Sequence, residues 1–230
     1  MIERIRNYAK RNPSRDAHKI YVVCEGAAKE PHYFAFFQGL SHNLEIITIP
    51  PTNGTDPLKL IENAENRLVS DTRTYTLDYM QGDTVWFVFD TDTWEEEGKI
   101  EPLLNYCASK NRVFHEQYSE VKAYNAWNIA QSNPCFEIWL YYHVFDQKPS
   151  ESDVIKKEGF KQFVDECIAG GFNCNSHPVY LEDAIANSES NFARDEHGRP
   201  SLFSTEMYAL GKEILPFVKK ELDKLKFKLK

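Results

Sequence analysis

Residues Ile20–Gly26 read IYVVCEG and residues Thr84–Asp92 read TVWFVFDTD. Each is an unbroken apolar run, rich in β-branched and aromatic side chains, that stops at an acid. Runs without polar alternation belong to strands covered on both faces, as in the parallel sheets of α/β proteins. The acid closing each run then falls at the carboxyl edge of the sheet, where such folds build their sites. The first strand, read over Ile20–Cys24, delivers Glu25. The later one, read over Thr84–Phe89, delivers Asp90 and Asp92.

Working outward, His32–Leu40 is aromatic with helical spacing and is broken by Gly39 and Ser41-His42-Asn43. Leu44–Ile49 (LEIITI) reads as a strand stopped by Pro50-Pro51. Asp56 then caps a helix with Pro57 at its first position, running to about Ser70. Strand and helix alternating in this order predict a doubly wound, mainly parallel sheet flanked by helices. Beyond Asp92 a helix is expected from about Glu96 to Ser109. Extended pieces near Arg112–Phe114 and Val121–Tyr124 lead into Asn128-Ile129-Ala130. Ser132-Asn133-Pro134 reads as a cap with proline at N1 for an aromatic helix over Cys135–Phe145. Three more helices, about Asp153–Ala169, Val179–Ser190 and Ser204–Lys224, complete the chain. Residues 1–230 are thus read as one domain, with the additional C-terminal helices of about 151–230 integrated into it.

Composition supports a packed globule, because 42% hydrophobic and 13% aromatic residues are enough to cover a sheet on both faces. The five cysteines are odd in number and include no CxxC pair, against both a disulfide framework and a zinc ribbon. No window approaches a membrane span, and the expected location is cytoplasmic. A net charge of −8 gives no global attraction to nucleic acid. Basic residues nevertheless crowd both ends: Arg4, Arg6, Lys10, Arg11, Arg15 and Lys19, then Lys219, Lys220, Lys224, Lys226, Lys228 and Lys230. Such margins are either solvated faces or a phosphate-contacting rim.

In a strand, residues two apart lie about 6.5 Å from each other on one face. Asp90 and Asp92 can therefore converge while the strand end stays extended. Two carboxylates with a third from a neighbouring strand end, Glu25, match the oxygen-rich shell that Mg2+ or Mn2+ prefers. Like charges gathered there repel one another unless a cation neutralises them. Lys29 is either a phosphate clamp or a solvated side chain, and Glu30 either a further metal or water ligand or a helix-capping acid. Glu137, in the first turn of the aromatic helix, either orients the first loop, acts as general base, or satisfies free backbone donors. His143 lies among Phe136, Trp139 and Leu140 and is more simply a core histidine than a catalytic one. Asn187, Asn191, Arg194, His197 and Arg199 form a polar stretch, read as an exposed loop in preference to a phosphate site. Neither GxxxxGK[ST] nor GxSxG occurs, so a nucleotide-driven motor or a serine hydrolase lacks its parts.

Three blocks in order, IYVVCEGAAKEPHYF, VWFVFDTDTW and NIAQSNPCFEIWLYYH, resemble the RloB-like proteins, a bacterial family associated with restriction and phage-defence loci and similar to the Toprim-type fold. The resemblance covers most of the chain. It implies a Toprim-like domain in which Glu25, Asp90 and Asp92 bind Mg2+ for phosphodiester cleavage or transfer. One departure stands out: the family tends to have Lys-Thr-Glu-Pro where this chain has Ala28-Lys29-Glu30-Pro31, so Lys29 replaces a hydroxyl.

The expected activity is a metal-dependent nuclease acting on RNA or DNA in anti-phage defence. Related Toprim-like effectors imply RNA, and tRNA in particular. The catalytic candidates are Glu25, Glu30, Asp90, Asp92 and Glu137; the metal ligands are Glu25, Asp90 and Asp92. The competing reading is a non-catalytic Toprim-like module that binds nucleic acid or a defence-system partner protein. A third is an enzyme acting on a small phosphorylated nucleotide.

Overall fold

The computed structural model describes residues 12–14, 16–91, 94, 97–120 and 124–229. Asp92, the N-terminal residues Arg4, Arg6, Lys10, Arg11 and Arg15, and residues 121–123 of the expected extended piece lie outside them.

The chain is α/β, with one five-stranded sheet: β1 (His18–Cys24), β2 (Leu44–Ile49), β3 (Thr84–Asp90), β4 (Trp127–Asn133) and β5 (Ser204–Thr205). Their order is β2-β1-β3-β4-β5, all parallel except the two-residue β5, which runs antiparallel to β4. The apolar runs are continuous because both faces are covered, and alternate residues serve opposite layers. Ile20, Val22, Cys24, Trp86 and Val88 face α1 (Lys29–Ala35), α4 (Glu137–Tyr141), α7 (Leu181–Ser190) and α8 (Met207–Leu229). Tyr21, Val23, Val85, Phe87 and Phe89 face α2 (Pro57–Ala64) and α3 (Ile100–Gln117). A third apolar cluster joins Ile138 and Tyr142, in and just after α4, to Phe160 and Val164 of α6 (Phe160–Cys167). No helix among the described residues is long and apolar enough to cross a membrane.

The caps of α2 follow the sequence reading: Asp56 accepts from the amides of Leu58 and Lys59, with Pro57 at the first position. After Ala64 the helix continues in π form over Glu65–Val69. Elsewhere the boundaries shift. Arg112–Phe114 is not extended but lies inside α3, where Leu103, Cys107 and Phe114 make one buried stripe. Ser132 and Asn133 do not cap a helix. They end β4, their side chains engaged by Thr205 Oγ1 at 2.8 Å and by the Pro200 carbonyl at 2.9 Å, and Pro134 follows through a cis bond. The aromatic helix accordingly begins at Glu137. The expected helix over Asp153–Ala169 is divided into α5 (Glu151–Val154) and α6, with Gly159 at φ 125° between them. Ser204 and Thr205 pair with β4 rather than opening the last helix.

At the opposite end of the sheet, Glu213 of α8 ties the helix to two strands. Its carboxylate accepts from Thr84 Oγ1 (2.5 Å), Trp86 Nε1 (2.8 Å) and, across a ring stacked on Phe217, His18 Nε2 (2.8 Å). Thr84 and Trp86 are buried, so removing their acceptor leaves them unsatisfied. Glu213→Ala should cost about 2–4 kcal/mol, and Glu213→Gln, which keeps an acceptor oxygen, distinctly less. Urea unfolding checks both, and equal losses in the two variants would contradict the bonding described.

Candidate metal centre at the carboxyl edge of the sheet

Glu25 extends the β1 ladder by one residue, its amide donating to Val88 O at 3.0 Å. The chain then turns back, because the Gly26 amide donates to Glu30 Oε1 at 3.1 Å in the first turn of α1. A Cβ at position 26 would stand 2.0 Å from Glu30 Oε2, so only glycine permits this closure. From the next strand, the amide of Asp90 donates to Glu25 Oε2 at 2.7 Å, while Trp94 Nε1 donates to Glu25 Oε1 at 3.0 Å. From the third, the Phe136 amide donates to Asp90 Oδ1 at 2.7 Å, which brings Glu137 beside it. Thr91 fixes the connection: its amide and hydroxyl donate to Ser132 O, and Gln131 Nε2 donates to the hydroxyl.

Two lysines meet these acids. Lys29 Nζ lies 3.0 Å from Glu137 Oε1, and Lys161 Nζ of α6 lies 3.8 Å from Asp90 Oδ2. Glu137 Oε2 is buried and meets no N–H or O–H donor. One cleft of about 340 Å³ is lined by Glu25, Glu30, Asp90, Glu137, Lys29 and Lys161, with Thr55 from the turn after β2 at its rim.

Burial, then the negative charges of Glu25, Glu30 and Glu137, push the Asp90 carboxyl well above its usual range, with Lys161 opposing. Glu30 is also raised, chiefly by burial. Glu137 is different. Burial would raise it, but the Cys135 thiol and Lys29 outweigh that and keep it ionised below the ordinary value. Lys29 is raised in turn: burial lowers it, and the bond to Glu137 more than compensates.

The structure thus brings together four of the acids singled out in the sequence, Glu25, Glu30, Asp90 and Glu137. Asp92 falls outside the described residues. His143 is elsewhere, fully enclosed, with Nδ1 at 2.9 Å from Trp139 O and Nε2 at 3.1 Å from Tyr33 Oη. Its imidazole is pushed down to about 3 by burial, which marks a neutral core histidine. The late polar stretch is engaged structurally: Asn187 and Asn191 donate to Tyr142 O and Asp146 O, Arg194 pairs with Glu206, and Arg199 with Glu101. Of the C-terminal lysines, Lys219, Lys224 and Lys226 pair with Glu182, Glu221 and Asp183. Sequence reasoning missed Lys161, Trp94 and Cys135. Only Cys135 carried a local signal, since it directly precedes Phe136 and Glu137.

Fold and cleft together define an α/β protein with a carboxylate cluster at the carboxyl ends of parallel strands. The family model for RloB-like protein matches residues 20–214, and the chain belongs to that family. No curated protein and no solved structure matches it.

An acid whose value is raised in the fold favours the folded state fully only below its ordinary value, here 3.8 for Asp90, and loses that contribution as pH rises through the elevated one. At neutral pH Asp90 therefore opposes folding while no cation is bound. Asp90→Asn, which can still accept from Phe136, should melt higher than wild type at pH 8 in chelator, by about 2–4 °C for each kcal/mol relieved. The gap should close towards pH 4. Identical melting curves across that range would refute the electrostatic account.

Proposed function

We propose that this chain is a metal-dependent nuclease with a Toprim-like centre that hydrolyses phosphodiester bonds of RNA or DNA in anti-phage defence. The observation carrying this reading is the gathering of four carboxylates in one cleft, with Asp90 raised by its neighbours' charge. Such a cluster fits a divalent cation: its donors are hard oxygens, and Glu137 Oε2 meets no N–H or O–H donor. Glu25, Asp90 and Glu137 would hold Mg2+ or Mn2+, with Asp92 joining them on the strength of its spacing alone. A bound cation supplies charge neutralisation at the phosphate and a more acidic water.

The remaining roles fall to the chain's own side chains. Lys29 and Lys161 have half-exposed to exposed stems, 41% and 62%, and can turn from their acids to phosphate oxygens. Glu137, kept ionised, is placed to accept the proton of an attacking water. Glu30 positions the loop bearing Glu25 through the Gly26 amide.

The same two ion pairs support a second reading, in which the lysines neutralise the acids permanently and the cleft is a non-catalytic binding module for nucleic acid or a defence partner protein. Cleavage assays separate the two. Full-length protein with Mn2+ or Mg2+ should cut tRNA, single-stranded RNA or DNA, and Asp90→Ala should reduce the rate about 100-fold or more. Labelled mononucleotides assayed in parallel test for a small substrate. Absence of metal-dependent cleavage on every polynucleotide would reject the nuclease.

A further inference from the structure

One donor in the cleft is not oxygen. Cys135 Sγ, a carboxylate oxygen of Asp90 and one of Glu137 all lie within 4.8 Å of one another, and all three residues are buried. Ligands around a tetrahedral ion with bonds of about 2.0–2.3 Å stand roughly 3.3–3.8 Å apart, so a contraction of about 1 Å would close the three on one ion. The cluster does not stand alone. Glu137 is 3% exposed, and its Oε2 meets no N–H or O–H donor, although a buried carboxylate oxygen needs a positive partner. Lys29 occupies only the other oxygen, and Phe136 N fixes the Asp90 carboxylate through Oδ1.

We propose that Asp90, Cys135 and Glu137 form a three-ligand site for a borderline divalent cation of the zinc class. Sulfur sets the class. A thiolate ranks zinc and cobalt far above magnesium, whereas an all-carboxylate set favours hard ions. On coordination the thiol proton leaves to solvent, and three protein ligands leave a fourth position for water. This rests on the reading that the cleft holds a cation and goes beyond it in naming the ion and a ligand outside the expected triad. Lys161, at 3.8 Å and with an exposed side chain, can withdraw as the ion enters.

Cobalt is the probe, titrated into the metal-stripped full chain and followed by near-ultraviolet absorption. The expected result is a sulfur-to-cobalt charge-transfer band that saturates at one equivalent and is bleached by zinc. It should vanish in both Cys135→Ser and Cys135→Ala and persist in Cys174→Ser. By dye competition, Cys135→Ser should weaken zinc binding at least about tenfold and leave manganese binding unchanged. Circular dichroism verifies folding, and the wild-type spectrum alone already discriminates. Cobalt uptake without the band, or a band that survives loss of Cys135, overturns the proposal and leaves the carboxylate centre standing. Uptake of neither cobalt nor manganese by the wild type overturns both.

Discussion

Asp90 is gripped from two directions, and the rest of the site hangs on that grip. Its amide points at Glu25 from the neighbouring strand, and its carboxylate receives the amide of Phe136 from the connection after β4. Three consecutive strand ends of the sheet are thereby drawn to one point. The cost is electrostatic: Asp90 is buried beside three other carboxylates, and Lys29 and Lys161 reach in from α1 and α6 to offset it. A fold selected for stability alone would place apolar or neutral groups there.

The helices serve this arrangement unequally. α1 is only seven residues long, yet it carries both Lys29 and Glu30, and its approach to β1 depends on Gly26. α4 is shorter still and wholly buried, so Glu137 is set by packing of Phe136 and Trp139 against the sheet and not by helix propensity. α6 lies outside the sheet layers and docks on α4 through Phe160 and Val164. Lys161 enters the cleft through that docking.

Much of this was legible in the chain. The runs before Glu25 and Asp90 read as doubly covered strands because their apolar character is unbroken, and strand ends of a parallel sheet converge by topology. Glu30 and Glu137 could be singled out because each begins a helix next to a strand end. What was hidden depended on distant pairing. Ser132 and Asn133 look like a cap until β5, some seventy residues later, and the Pro200 carbonyl just before it claim their side chains. Lys161 has no local feature that points to Asp90, since only the packing of α6 on α4 brings it there. Cys135 looked like one more buried thiol until Asp90 and Glu137 were seen beside it.

Trp94 gives the site a reporter of its own. Trp86, Trp127 and Trp139 are buried in the two sheet layers, whereas Trp94 is partly open to solvent and its indole rests on Glu25. Red-edge excitation will therefore favour this one fluorophore, and any ligand that alters Glu25 changes the emission without a label being attached.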